Sequence, residues 1–216
     1  MKKLFSYFKA DEVLSFKEDL DKAFSNFPIN NYREVSPVNC ILDPERLDSP
    51  FIDVDLREIC EEAIQSAEVS PGRQHKCLHA FPRGKGGGKS RTVEEMKRWI
   101  NLHHNDSSFA LAITFNYRWT ETVFRSRFKD ESDCLFFNVI LRMLSMFYGL
   151  SFDVVLPRLE IVLGSSLIPK SSVTYNFFLL ATISHIMNKV NQVEMTLGRK
   201  NFILIIDETD KFIKKT

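Results

Sequence analysis

The chain has 216 residues, 44% of them hydrophobic, enough for one domain of ordinary size or a compact domain with an appendage. Its 29 Lys and Arg stand against 28 Asp and Glu, and a net charge of +1 excludes a global field drawing in nucleic acid or acidic membrane, so any such binding must be local. The four cysteines, Cys40, Cys60, Cys77 and Cys134, lack the paired spacing of a disulfide frame or zinc site and read as reduced thiols of an intracellular protein.

The opening "MKKLFSYFKADEVLSF" is basic and aromatic, but Lys9, Asp11 and Glu12 interrupt it before the apolar region of an export signal could form. No window approaches the roughly 18 uncharged apolar residues of a membrane span. The longest apolar run, "CLFFNVILRMLSMFYGL", is broken by Arg142. The expected location is therefore cytoplasm or nucleus, with no membrane partner.

Val13, Phe16, Leu20, Phe24 and Phe27 recur at helical spacing and predict an amphipathic helix packed on the domain, followed by a Pro/Asn-rich linker over 28–50. Residues 53–68 predict a second helix, with Leu56, Ile59, Cys60, Ala63 and Ile64 on one face and "VSPG" as its stop. The expected division is a helical segment and linker over 1–70 and an α/β domain over 71–216.

The domain opens with "KCLHAF" (76–81), readable as a short strand. "FPRGKGGGKSRT" (81–92) follows, with four of the chain's eight glycines, Gly84, Gly86, Gly87 and Gly88, inside five positions. A helix is expected over 92–104, with Val93, Met96, Trp99, Ile100 and Leu102 on or near its apolar side, then a buried strand, "SFALAITFNY", over 108–117. An apolar helix around 133–149, the mixed stretch "FDVVLPRLEIVLG", a helix over about 172–194 and the strand "NFILIIDETDKF" complete the order. Strands alternating with helices indicate an α/β fold with a mainly parallel sheet flanked by helices.

Strand, glycine loop, helix is the order that phosphate binding needs. Phosphate oxygens are held by inward-pointing backbone N–H groups, a helix N-terminus and a cation. In this pattern Gly84 to Gly88 form the cradle, Lys89 supplies the point charge and the Ser90 hydroxyl is a magnesium ligand. The usual pattern has a glycine five positions before its G-K-[ST]; here Arg83 stands there, with Gly84 one place later. In "FILIIDE", Asp207 stands where a strand-end aspartate holds the magnesium shell, and Glu208 is the candidate to polarise water. The plainer alternatives are a mobile basic loop and a core strand entering a solvated turn. Arg83 and Arg91 flank the loop, where they either neutralise phosphate charge or are solvated. "YRWTETVFRSRFK" (117–129) interleaves basic and aromatic residues, as a nucleic-acid grip would, or as a solvated face with buried aromatics would. His103 and His104 follow a helix end, where cations favour the dipole, and have no metal-ligand spacing.

From the glycine loop onward, over roughly residues 76–210, the chain resembles the P-loop ATPase domain of Crinkler effectors and the related retrotransposon-hot-spot proteins of eukaryotic microbes. "RGKGGGKSRTVEEM", "ALAITFNY" and "FILIIDE" carry the resemblance. It implies ATP and magnesium as cofactors, Lys89 and Ser90 on phosphate and metal, Asp207 on metal and Glu208 on water activation. It further implies a joined effector domain or protein partner and, in some members, secretion into a host cell. Asn116 lies where the family tends to have a polar residue. ATPases of this type place a further strand and a polar sensor after the acidic strand, whereas eight residues follow Glu208. The expected fold is thus truncated there, or residues from the first 70 or from "VVLPRLEIVL" fill the sheet. The expected function is ATP binding with weak magnesium-dependent hydrolysis. The alternatives are a non-catalytic interaction module or relic of such an ATPase, and a nucleic-acid-binding module.

Overall fold

The computed structural model describes residues 10–28, 56–68, 88–115, 131–165, 172–194 and 201–207. They form six helices and two strands: α1 Ala10–Ala23, α2 Arg57–Glu68, α3 Lys89–His103, β1 Ser108–Thr114, α4 Glu131–Tyr148, α5 Phe152–Ser165, α6 Ser172–Glu194 and β2 Asn201–Asp207. The chain folds as two compact units, one of residues 1–29 and 117–193, the other of residues 30–116 and 194–216. Among the described residues no helix is long and apolar enough to cross a membrane.

The first unit is helical and contains α1, α4, α5 and α6. Of the apolar residues predicted for this helix, Phe16, Leu20 and Phe24 are at most 1% exposed and Phe27 is half-buried. Phe16 packs on Phe178 of α6 at 4.1 Å between ring centroids, and Phe24 stacks on Tyr148 at 5.1 Å. Gly149, at φ 63°, turns the chain out of α4, and the Leu150 N–H returns to the Ser145 carbonyl at 3.0 Å. Arg142, which interrupts the apolar run of α4, is itself buried, with its guanidinium 5.4 Å from the Phe152 ring centroid.

"VVLPRLEIVL" does not fill a sheet. It lies in α5, which carries Pro157 inside it. Val155, Leu159 and Val162 are buried at steps of four and three, so the helical period of the apolar residues prevails over their β-branched content.

Three further charged or polar side chains join the helices of this unit. The Tyr148 hydroxyl lies 2.7 Å from His185 Nε2, and His185 Nδ1 lies 2.6 Å from Asp21 Oδ1. His185 is fully buried, and that burial holds its ring below the ordinary histidine pKa, against the opposing pull of Asp21. In the neutral ring Nδ1–H donates to Asp21 and Nε2 accepts from Tyr148. Tyr148 is held above its ordinary pKa, chiefly by desolvation, which keeps its proton available for that bond.

The second unit contains α2, α3, β1 and β2. β1 and β2 pair in parallel, in a register running from Ser108 opposite Asn201 to Thr114 opposite Asp207. All seven residues of β1 are buried, as a near-continuous apolar strand of a covered parallel sheet should be. The paired Phe109 and Phe202 bring their rings to 6.1 Å. α2 packs against β2 and α3, burying Cys60 and Ile64 behind Leu56. α3 packs on β1 and β2 through Val93, Met96 and Ile100; Leu102, expected near this side, is 45% exposed.

Candidate phosphate and cation site

α3 begins at Lys89, three residues earlier than the apolar pattern alone predicts, so Lys89, Ser90 and Arg91 form its first turn. Its N-cap is Gly88, at φ 71° and ψ 25°, in the left-handed region. A Cβ there would meet nothing within 4 Å, so the backbone angle, not crowding, is what favours glycine. The Thr92 N–H donates to the Gly88 carbonyl at 2.9 Å, and the Thr92 hydroxyl donates to the same oxygen at 3.1 Å. The helix opens there with no side-chain cap. A helix start of this kind directs N–H groups and partial positive charge outward, the polarity that an anion needs.

The other half of the site comes from the far end of the chain. Asp207 is the last residue of β2 and is only 4% exposed. The Ser90 hydroxyl donates to its Oδ2 at 2.6 Å, across 117 residues of sequence. The Phe115 N–H reaches the Asp207 carbonyl at 3.3 Å, so the two strands remain tied one residue past β1. The β register also sets Thr114, a buried hydroxyl residue, opposite Asp207. Residues paired in register have side chains on the same sheet face, so this end of the sheet carries two hydroxyls and one carboxylate.

The donor set is chemically suited to magnesium. Hydroxyl and carboxylate oxygens are hard ligands, and magnesium keeps several waters or phosphate oxygens instead of requiring an all-protein cage. Among the described residues no group of three or more His, Cys, Asp or Glu forms a closed metal cluster. Ser90 and Asp207 would hold such an ion, with the remaining positions left to water and phosphate.

Lys89 is exposed on the first turn, next to Ser90. Arg91 forms an ion pair with Glu95 at 2.7 Å on its own helix, and Arg98 approaches Glu95 at 3.9 Å. Arg91 is thus partnered on the helix surface, and contact with phosphate would compete with Glu95. Arg83, Gly84, Gly86, Gly87 and Glu208 lie outside the described residues, as do the expected strand over 76–81, Asn116 and the basic-aromatic segment over 117–129. His103 ends α3 and His104 caps it, with both rings against Trp99 at 5.0 and 5.2 Å.

Sequence reasoning missed a polar stripe on α3. Glu94 and Lys97 are 0% and 2% exposed and form an ion pair at 2.5 Å. Asn101 is fully buried: its Nδ2 donates to the Ala110 carbonyl at 2.9 Å, and its Oδ1 accepts from the Ala110 N–H at 2.8 Å. The only available signal was the shared helical face of positions 90, 94, 97 and 101, and charged residues at that spacing ordinarily read as solvated. No family model matches the chain, and no match to it was found among curated proteins or solved structures.

Proposed function

We propose that the second unit is a P-loop-type nucleotide-binding domain that takes ATP with magnesium at the start of α3 and hydrolyses it weakly. The observation that carries this reading is the 2.6 Å hydrogen bond from Ser90 to Asp207, which joins the first turn after the glycine run to the acidic end of a buried parallel strand. A basic loop of no function gives no reason for a buried strand-end carboxylate to meet the residue after its lysine. The likeness of these motifs to the Crinkler ATPase domain belongs to the same proposal.

In this reading the N-terminal N–H groups of α3 and the Lys89 ammonium bind phosphate oxygens. Ser90 and Asp207 would hold the cation, the Ser90 hydroxyl through an oxygen lone pair, which leaves its O–H free to donate to Asp207, and Asp207 through its carboxylate. Magnesium, when bound, neutralises charge on the phosphates. Asp207 is fixed by the strand register and by burial, so its carboxylate is aimed before the ligand arrives. Glu208, the next residue in the chain, is assigned to orienting water on its sequence position alone.

Titration calorimetry of Mg-ATP into the full chain tests the reading, with Lys89→Ala as control. Saturable binding that is lost in the variant is the expected outcome, followed by turnover lost in Asp207→Asn and Glu208→Gln. A folded wild-type chain that takes up no Mg-ATP overturns the reading and leaves a non-catalytic interaction module.

A further inference from the structure

Side chains eleven residues apart on α3 hydrogen-bond to the two strands. Ser90 reaches β2 at Asp207, and Asn101 reaches β1 at Ala110. The second tie is the more constraining. One carboxamide satisfies both the N–H and the C=O of Ala110, which in a strand point to the same side. Those groups therefore face away from β2, and on that edge of β1 Asn101 satisfies Ala110 as a neighbouring strand would. A two-point bond fixes both the slide of the helix along the strand and its rotation. A slip of α3 by one residue would turn its inner face by about 100° and carry Ser90 away from Asp207.

We propose that Asn101 is the positioning residue of the Ser90 and Asp207 site: it sets the register of α3 on β1, and β1 sets the height of Asp207 through its pairing with β2. In its functional half this rests on the nucleotide reading. The Asn101 clamp engages groups that a cation at Ser90 and Asp207 would not touch, so it would keep the helix start at the strand end whether or not that site is loaded. Its geometric half needs no ligand.

The ligand-free test is a double-mutant cycle of Ser90→Ala and Asp207→Asn in the full chain, read as amide-exchange protection of residues 108–114 and 201–207. The cycle is measured with Asn101 present and again with Asn101→Leu. With Asn101 the coupling between Ser90 and Asp207 is expected to be about tenfold in protection, as for a hydrogen bond to a charged group. In Asn101→Leu it is expected to fall to within about twofold, roughly the scatter of additivity. A purely structural Asn101 would lower protection in all four members and leave the coupling intact, which would overturn the proposal. Should Asn101→Leu fail to fold, Asn101→Asp serves: it still accepts from the Ala110 N–H but sets a carboxylate against the Ala110 carbonyl, and the coupling should drop by at least about threefold.

The ligand test compares Mg-ATP with ATP in chelator by calorimetry on folded protein. The Asn101 variant should lose about tenfold in affinity for Mg-ATP and less than about threefold for metal-free ATP, because the cation is what needs both oxygens. Equal losses for both, or none, overturn the positioning role. Absence of Mg-ATP binding in the wild-type chain with the coupling cycle intact overturns the nucleotide reading alone, and the register role of Asn101 then stands on the exchange data.

Discussion

Ser90→Ala tests on the ligand-free protein whether the hydrogen bond from Ser90 to Asp207 organises the second unit. Asp207 is 4% exposed, and the Ser90 hydroxyl donates to it at 2.6 Å. Removing the donor takes one charge-assisted hydrogen bond from a buried carboxylate, which costs about 1.5–3 kcal/mol, or roughly 10- to 150-fold in the folding equilibrium. Lys89 next to it is exposed, so Lys89→Ala should change stability by no more than about 0.5 kcal/mol. Ser90→Thr keeps the hydroxyl and should stay near wild type. The assay is denaturant unfolding without nucleotide or metal, followed by Trp99 fluorescence in a Trp119→Phe background so that only α3 reports. The expected ranking is wild type, Lys89→Ala and Ser90→Thr together, with Ser90→Ala clearly lower. Binding of Mg-ATP should be lost in both alanine variants. Equal stability of Ser90→Ala and Lys89→Ala would refute the claim that this hydrogen bond organises the unit.

The helical unit should respond to acid through His185, which is faced by Asp21 and Lys17 of α1, Tyr148 of α4 and Lys189 of its own helix. Its native pKa lies below the ordinary 6.5, so the unfolded chain binds the proton first, and stability is lost as pH falls below 6.5, by at most about 1.4 kcal/mol per pH unit. Ring-proton NMR should place the midpoint below 6.5 and lower still in Asp21→Asn; a midpoint above 6.5 would contradict the burial argument. Gly88→Ala should cost about 1–2 kcal/mol in thermal or denaturant unfolding, and Gly88→Asn less, because the left-handed backbone and not crowding is the penalty. Burial pushes the Cys60 thiol up to about 12, so mass mapping after brief alkylation at pH 8 should find it labelled only in denaturant; native labelling at the rate of a free thiol would show it to be accessible.

The elements that sequence made legible are those whose apolar residues outnumber every competing signal. The span of α6 over 172–194 and the strands within 108–117 and 201–212 were expected from long apolar runs, and residues 172–194, 108–114 and 201–207 fold that way. α5 was obscured because proline and β-branched residues pull local preference toward strand, while the four- and three-residue steps of Val155, Leu159 and Val162 suit a helix. Of the candidate site, Ser90 and Asp207 are legible from the sequence pattern, and they hydrogen-bond to each other. Glu94, Lys97 and Asn101 were invisible because polarity at a helical position ordinarily signals solvent; here the stripe meets backbone groups and an opposite charge. Asp21, Tyr148 and His185 lie up to 164 residues apart, a distance that no local pattern spans.

The pairing of β1 with β2 also dictates an order of events during synthesis. β1 ends at Thr114 and β2 begins at Asn201, so a ribosome must add 86 residues (115 to 200) before the first residue of the partner strand exists. At about 5–20 residues per second that is roughly 4–17 s in which seven consecutive core positions wait without their ladder. The Asn101 carboxamide and Ala110 are only nine residues apart and can close as soon as α3 and β1 have emerged. A nascent chain lacking that side chain would leave the Ala110 N–H and C=O open on one edge of this apolar strand while the other edge still waits for β2. Its first failure would then be low yield and aggregation during translation, before any defect in the finished protein could be measured.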